Sequence, residues 1–331
     1  MSGSGIPVYA DVEAAAARIA PWVVETPVIE NAELNAQAGG RVLLKLETLQ
    51  RTGSFKFRGA LNRILQIPEA DRAKGVVAFS SGNHAQGVAA AASLLGLSAT
   101  IVMPADAPAA KIANTRAMGA EIVFYDRLSD DREAIAAEIC AARSATLVKP
   151  FDDPAVVAGQ GTAGLELARQ AAEQGVGLIQ VLVPCSGGGL AGGIALALSQ
   201  AMPGAEVKSV EPFDFDGMRR SLAAGIRTPA PGGPQSIADA LMALIPGQIP
   251  FALARAHMRE GLCVNDDDLA RAVSYAACRL KLVVEPGGAA GLAAVLAGQA
   301  DACSGGLGIV LSGGNCDPAT LTACCARAPF F

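Results

Sequence analysis

Histidine is almost missing from this 331-residue chain, which has two, His84 and His257. That weakens any mechanism built on a histidine-rich metal site. Eight cysteines are present, but none forms a CxxC pair and none stands at zinc-ligand spacing from a histidine, so they read as reduced thiols of a cytosolic protein. No block or stripe of Lys and Arg exists, and the formal net charge is −5, which excludes a binder of nucleic-acid backbone as the expected partner class. Mean hydropathy is high at +0.36, yet no apolar run approaches the ~20 residues that a membrane span requires. The opening MSGSGIPVYADVEAAAARIA has an early acidic residue and no basic stretch, unlike a secretory signal. A cytoplasmic protein with no membrane partner is expected. Aromatic residues are scarce too, at 4%.

What the chain does have is a rich interior, 51% apolar against 17% charged, enough for one large domain or two medium ones. Strand-like apolar runs recur: VLLKLE (42–47), GVVAFS (75–80), ATIVMP (99–104), AEIVFY (120–125), ATLVKP (145–150), LIQVLVP (178–184), VKSVEP (207–212) and LGIVLSGG (307–314). Between them lie Ala-rich segments of helical character, such as 84–96 and 289–298. Near-continuous apolar strands alternating with helices predict an α/β fold with parallel-rich sheets covered by helices on both faces. The four strand signals between 75 and 150 allow either a small inserted sheet or part of one long sheet. RTPAPGGPQ (227–235) reads as a surface loop.

Four short motifs carry chemistry. In TGSFKFRGA (52–60), Lys56 has a phenylalanine on either side, and desolvation lowers a lysine pKa and frees its amine for Schiff-base formation. Taken alone, such a lysine is more often a surface residue at a helix start, here capped by Ser54. SSGNHAQGVA (80–89) follows a strand and opens a helix, whose amides with Ser and Asn side chains suit an anion. Plain N-capping by Ser81 or Asn83 describes it equally well, and His84 reads better as a loop-orienting residue than as a base. VLVPCSGGGLAGG (181–193) is strand, glycine loop and helix again. No GK[ST] follows and the glycine spacing fits the dinucleotide fingerprint only in part, so a phosphate monoester is the better ligand. Its glycines are read as keeping Cβ atoms out of the anion site. IVLSGGN (309–315) ends a strand with Ser312, able to offer a hydroxyl to a ring nitrogen or simply to close a turn. An activated lysine beside a phosphate cup is what a pyridoxal 5'-phosphate site requires.

These motifs, with LKLETLQRTGSFKFRGAL, PFDDPAVVAGQGTAGLEL and EPGGAAGLAA, resemble the fold-type II pyridoxal-phosphate enzymes over residues 15–316, in the branch of serine/threonine dehydratases and serine racemases. The resemblance implies a two-domain fold like that of the tryptophan synthase β-subunit, with a small domain (69–149) inserted in a large cofactor-binding one (1–68 and 150–331). It makes Lys56 the Schiff-base lysine that also moves the Cα proton, and Phe55 the residue packed on the cofactor ring. Asn83 meets the cofactor's 3'-oxygen. Ser186, Gly187, Gly188 and Gly189 form the phosphate cup, with Ser186 where a fourth glycine is common. Ser312 meets the pyridine nitrogen, Glu285 supports the site, and Ser81, Gly82 and His84 receive the substrate carboxylate. The implied activity is dehydration and deamination of L-threonine or L-serine to a 2-oxo acid and ammonia by a homo-oligomer, a dimer or tetramer. Phe151 in PFDDP matches dehydratases of this kind.

Two departures qualify that picture. Relatives with a divalent cation, Mg or Ca, use a Glu, a backbone carbonyl four residues on and an Asp six residues on. Here Glu211 and Phe215 fill the first two places and Gly217 the third, with Asp214 and Asp216 as the carboxylates nearby. The chain also ends about 15 residues after SGGN, so the regulatory domain of biosynthetic threonine dehydratases, and isoleucine feedback, are not expected. Alternatives on the same scaffold are a serine racemase, with Ser81 as a second acid/base on the opposite face, and a hydroxyaspartate dehydratase, with Arg132 meeting a side-chain carboxylate. Outside that class stands a silent binding protein.

Overall fold

The computed structural model describes residues 5–330. Its ten strands are β1 (Val28–Ile29), β2 (Val42–Leu46), β3 (Val76–Phe79), β4 (Ala99–Pro104), β5 (Glu121–Tyr125), β6 (Thr146–Leu147), β7 (Leu178–Pro184), β8 (Glu206–Pro212), β9 (Met258–Val264) and β10 (Gly306–Leu311). They form two sheets. The larger runs β1-β2-β10-β7-β8-β9 and the smaller β5-β4-β3-β6. Every pairing is parallel except β1 with β2. The α/β expectation with parallel-rich sheets therefore holds, and the short signals at 75–80 and 145–150 pair in one small sheet rather than joining the long one.

The apolar runs are continuous because both faces of each sheet are buried. In the larger sheet, Leu43, Val181, Val183 and Val310 pack with Leu167 and Ile194 of the helices Pro154–Glu173 and Gly189–Ala201. Their neighbours Val42, Leu44, Leu182 and Ile309 point the other way, onto Val273 and Leu292 of Asp266–Tyr275 and Ala290–Leu296. In the smaller sheet, Val76, Ala78, Ile101 and Met103 meet Phe57, Leu61 and Ile64 of the helix Lys56–Leu65 and Ala85 and Val88 of Asn83–Leu94. Val77, Phe79 and Val102 face Ala136 of Arg132–Arg143.

The helix Lys56–Leu65 is thus clamped from two sides. Its apolar face lies on the smaller sheet and its helices, and Arg58 reaches Glu47 after β2 and Glu166 of the helix Pro154–Glu173 on the larger one. The Arg58 guanidinium bonds both oxygens of Glu47 at 2.8 Å and both oxygens of Glu166, at 2.6 and 2.8 Å. Lys45 Nζ donates to Glu166 at 2.7 Å, to Gln170 at 2.9 Å and to the Thr26 carbonyl at 2.7 Å. Lys45, Glu47 and Arg58 are fully buried. Two cations balance two anions, so the network is satisfied, and removing one member would strand a buried charge at about 3–5 kcal/mol. Arg58 thereby fixes the helix two residues beyond Lys56.

Candidate active site

Loops after β3, β7 and β10 converge at the C-terminal ends of parallel strands, where α/β folds place their ligands. After β10, the carbonyl of Ser312 accepts the Phe55 amide at 3.1 Å, and the Gly313 carbonyl accepts the Glu285 amide at 3.1 Å. Ser54 bridges Gly313. These bonds bring Lys56, Ser312 and Glu285 together from three distant stretches of chain.

Lys56 opens its helix and has no side-chain cap beside it, since the N-cap is Phe55. The Ser54 capping alternative is therefore excluded; its hydroxyl is buried without a hydrogen-bond partner. Lys56 Nζ donates to the Pro150 carbonyl at 2.7 Å and lies 5.1 Å from the centroid of the Phe55 ring. Burial lowers its pKa to about 8, against an opposing pull from the Glu285 charge.

The next residue along from Pro150 ties the lysine to the glycine loop. A Cβ on Gly187 would lie 2.3 Å from the Phe151 ring, so only glycine lets the loop sit on that ring. Gly188 is the N-cap of the Gly189–Ala201 helix at φ 91° with no side-chain cap, a left-handed conformation that glycine alone adopts freely. The expectation that these glycines keep Cβ atoms out of the anion site needs correction at this position. A Cβ on Gly188 would strike Met218 Cε at 2.4 Å and Pro250 Cβ at 2.9 Å, so it would collide with the protein behind the loop rather than fill the anion site. Ser186 Oγ accepts the Ala243 amide at 3.1 Å.

The second loop also leads into a helix without a side-chain cap. Gly82 is the N-cap of Asn83–Leu94 and no side chain caps that helix, which excludes ordinary capping by Ser81 or Asn83. Ser81, Gly82 and Asn83 are partly exposed while His84 is buried. His84 Nε2 lies 2.8 Å from the Val148 carbonyl, and a carbonyl only accepts, so this nitrogen carries the proton. Burial and then the Lys56 charge push the imidazole pKa down to about 3. His84 is neutral and a poor base, and it ties the loop to the segment that also holds Lys56.

One residue at the site carried no sequence signal beyond its place in SGGN. Asn315 Nδ2 donates to the Thr52 carbonyl at 2.8 Å and to Asn83 Oδ1 at 2.7 Å. Asn83 Nδ2 in turn donates to Glu285 Oε1 at 2.5 Å. The side-chain amide of Asn83 is thereby locked in one of its two orientations, with its second N–H left to offer. Burial raises the Glu285 pKa to about 7, partly offset by the Asn83 bond. Ser312 is nearly buried, 5% exposed. Arg132 lies with its guanidinium 5.5 Å from the Phe79 ring, beside the strand end that leads into Ser80 and Ser81.

Glu211 and Phe215 lie on β8 and just after it. Both Glu211 oxygens are taken by backbone amides, Met218 at 2.9 Å and Arg219 at 2.7 Å. Among the described residues no group of three or more His, Cys, Asp or Glu side chains could hold a metal ion; the expected set of Glu211 and the Phe215 carbonyl is not of that kind. No helix among these residues is long and apolar enough to cross a membrane.

Pyridoxal phosphate asks for a reactive amine, an anion cup and a donor to its ring oxygen. The half-buried Lys56, two helix N-termini without side-chain caps and the oriented amide of Asn83 fit those demands. The family model described as pyridoxal-phosphate dependent enzyme matches residues 19–313. An L-threo-3-hydroxyaspartate ammonia-lyase of Saccharomyces cerevisiae is 40% identical over 94% of this chain and 94% of its own length. A serine racemase of Schizosaccharomyces pombe is 40% identical over 94% of this chain and 95% of its own. Among solved structures, the T.th. threonine deaminase superposes with a TM-score of 0.87 at 44% identity, covering 94% of this chain and 99% of that one.

Proposed function

The chain belongs to the pyridoxal-phosphate-dependent enzymes, and from that premise we propose that it is an ammonia-lyase acting on L-threonine or L-serine, releasing a 2-oxo acid and ammonia. The observation that carries this reading is the Lys56 amine, half-buried, with a pKa of about 8, tied through Pro150 and Phe151 to the glycine loop. Bound pyridoxal phosphate supplies an electron sink for the bond broken at Cα. Lys56 takes up the Cα proton. The amides of Gly187, Gly188 and Gly189 would hold the phosphate at the start of their helix, which has no side-chain cap. Asn83 would offer its free N–H to the cofactor's 3'-oxygen, and Phe55 would pack on its ring. Ser312 would meet the ring nitrogen as a neutral donor that forces no positive charge there, which would favour loss of a β-hydroxyl over transamination. Ser81, Gly82 and the first amides of the Asn83–Leu94 helix receive the substrate carboxylate, with His84 holding their loop in place. The β-hydroxyl would leave as water with the proton that Lys56 took from Cα, so the elimination gains and loses no net proton, and the released enamine tautomerises and is hydrolysed by a second water to the 2-oxo acid and ammonia. In this reading residues 69–149 form a small domain that brings the carboxylate loop to a cofactor held by 1–68 and 150–331.

A second reading, 3-hydroxyaspartate as substrate, is favoured by Arg132, which stands beside the strand end feeding the carboxylate loop, and by the hydroxyaspartate ammonia-lyase among the relatives. A screen for 2-oxo acid release over L-threonine, L-serine, D-serine and the 3-hydroxyaspartate isomers separates the two. The first reading expects kcat/KM to be highest for L-threonine or L-serine. A preference for a hydroxyaspartate isomer that Arg132→Ala abolishes would establish the second. Racemisation of serine faster than its elimination would overturn both.

A further inference from the structure

The cation site implied by the resemblance would use Glu211, the carbonyl of Phe215 and a carboxylate at position 217, and the residues present do not make it. Position 217 is glycine, and a Cβ there would lie 2.6 Å from the Leu244 carbonyl oxygen, itself fixed by accepting the Ala230 amide at 2.7 Å. An aspartate could not enter without moving backbone. Glu211 is fully buried, and each of its oxygens accepts an amide from the first turn of the helix Gly217–Ala224, Met218 at 2.9 Å and Arg219 at 2.7 Å. The positive end of that helix therefore points at the carboxylate, and both of its oxygens are already engaged. The other nearby buried carboxylate, Asp216, is 1% exposed and already paired with Arg219 at 2.9 Å and Arg220 at 2.7 Å. A dication would meet two guanidinium groups and a helix N-terminus, and like charges at such range repel.

We infer that this connection is held without metal, and that Glu211 is a positioning residue for the glycine loop. The geometry runs in one line. Glu211 seats the first turn of the Gly217–Ala224 helix, that turn carries Met218, and Met218 is fully buried with its Cε against the place where a Gly188 Cβ would be. The carboxylate thus sets the wall behind the loop proposed to hold phosphate. Helix and carboxylate together link the segment after β8 to the cup.

The test uses the purified holoenzyme, dialysed against EDTA and then given back magnesium or calcium chloride. It reads 2-oxo acid release, the visible absorption of the bound cofactor and the melting temperature. The expected result is no loss on chelation and no gain on re-addition in any of the three. A loss that either cation reverses would overturn the metal-free anchor. The absorption and melting readouts stand even if the substrate assignment is wrong, so the two failures are distinguishable. Glu211→Gln, which keeps one acceptor oxygen, and Glu211→Ala test the positioning role. Both should raise the dissociation constant for pyridoxal phosphate, by about tenfold for the alanine variant, equivalent to ~1.4 kcal/mol, with no rescue by calcium. An unchanged dissociation constant in the folded Gln variant would refute that role.

Discussion

Asn315→Ala is the most discriminating perturbation of the site, because Asn315 acts on Asn83 alone among the residues proposed to touch the cofactor. The substitution deletes the donors to Thr52 and Asn83 and leaves the Asn83 amide held only by Glu285. A half-turn about the last side-chain bond would then present oxygen, not N–H, to the cofactor's 3'-oxygen. One lost hydrogen bond of ordinary net strength, ~0.5–1.5 kcal/mol, corresponds to a dissociation constant about two- to tenfold weaker. The loss should also depend on pH. An ionised Glu285 only accepts, and so resists the flipped amide oxygen. Its pKa is raised to about 7, so below that value its protonated form can donate to the flipped oxygen. The penalty is therefore larger at pH 6 than at pH 8. Titration of the apoprotein with pyridoxal phosphate, followed by visible absorption at both pH values, measures it. A double-mutant cycle with Asn83→Ala isolates the route: if Asn315 works through Asn83, its replacement adds little in that background. Equal affinities for wild type and Asn315→Ala at both pH values, or full additivity in the cycle, would refute the reasoning.

Lys56→Ala should fold, lose the visible absorption of lysine-bound cofactor and lose turnover by at least the ~10²–10⁴-fold of a general acid–base group; a variant retaining several per cent of activity without added amine would sink the assignment. The rate of cofactor loading into the apoprotein should climb with pH and level off just above about 8, since the neutral amine is the nucleophile and its folded pKa is about 8; a climb that only begins near the ordinary lysine value would contradict the desolvation of Lys56. Ser81→Ala should abolish any serine racemisation and D-serine dehydration while L-threonine dehydration survives within roughly a hundredfold, read by chiral chromatography alongside 2-oxobutanoate release.

Periodicity alone located the elements that are buried on both faces. ATIVMP and LIQVLVP are strands over the same residues that the apolar runs mark, because a central parallel strand has no polar side to blur its ends. The sheet-edge strand β9, MREGLCV, went unread: several of its residues face solvent, so neither continuity nor clean alternation marks it. Lys56, Asn83 and the glycine loop were legible because their chemistry needs particular residue types at strand–loop–helix junctions. What only the tertiary structure decided is how those residues are held. Asn315, Asn83 and Glu285 lie in three separate stretches and meet only when β10 is laid beside β2 and β7. The direction of the missing Cβ at Gly188 depends on Met218 and Pro250 behind it, and the occupation of Glu211 by two amides depends on where a later helix begins. A sequence shows which side chains and flexible positions are available. Orientation of an amide, crowding behind a loop and the partners of a buried carboxylate are relations across space, fixed by packing between segments that the linear order keeps apart.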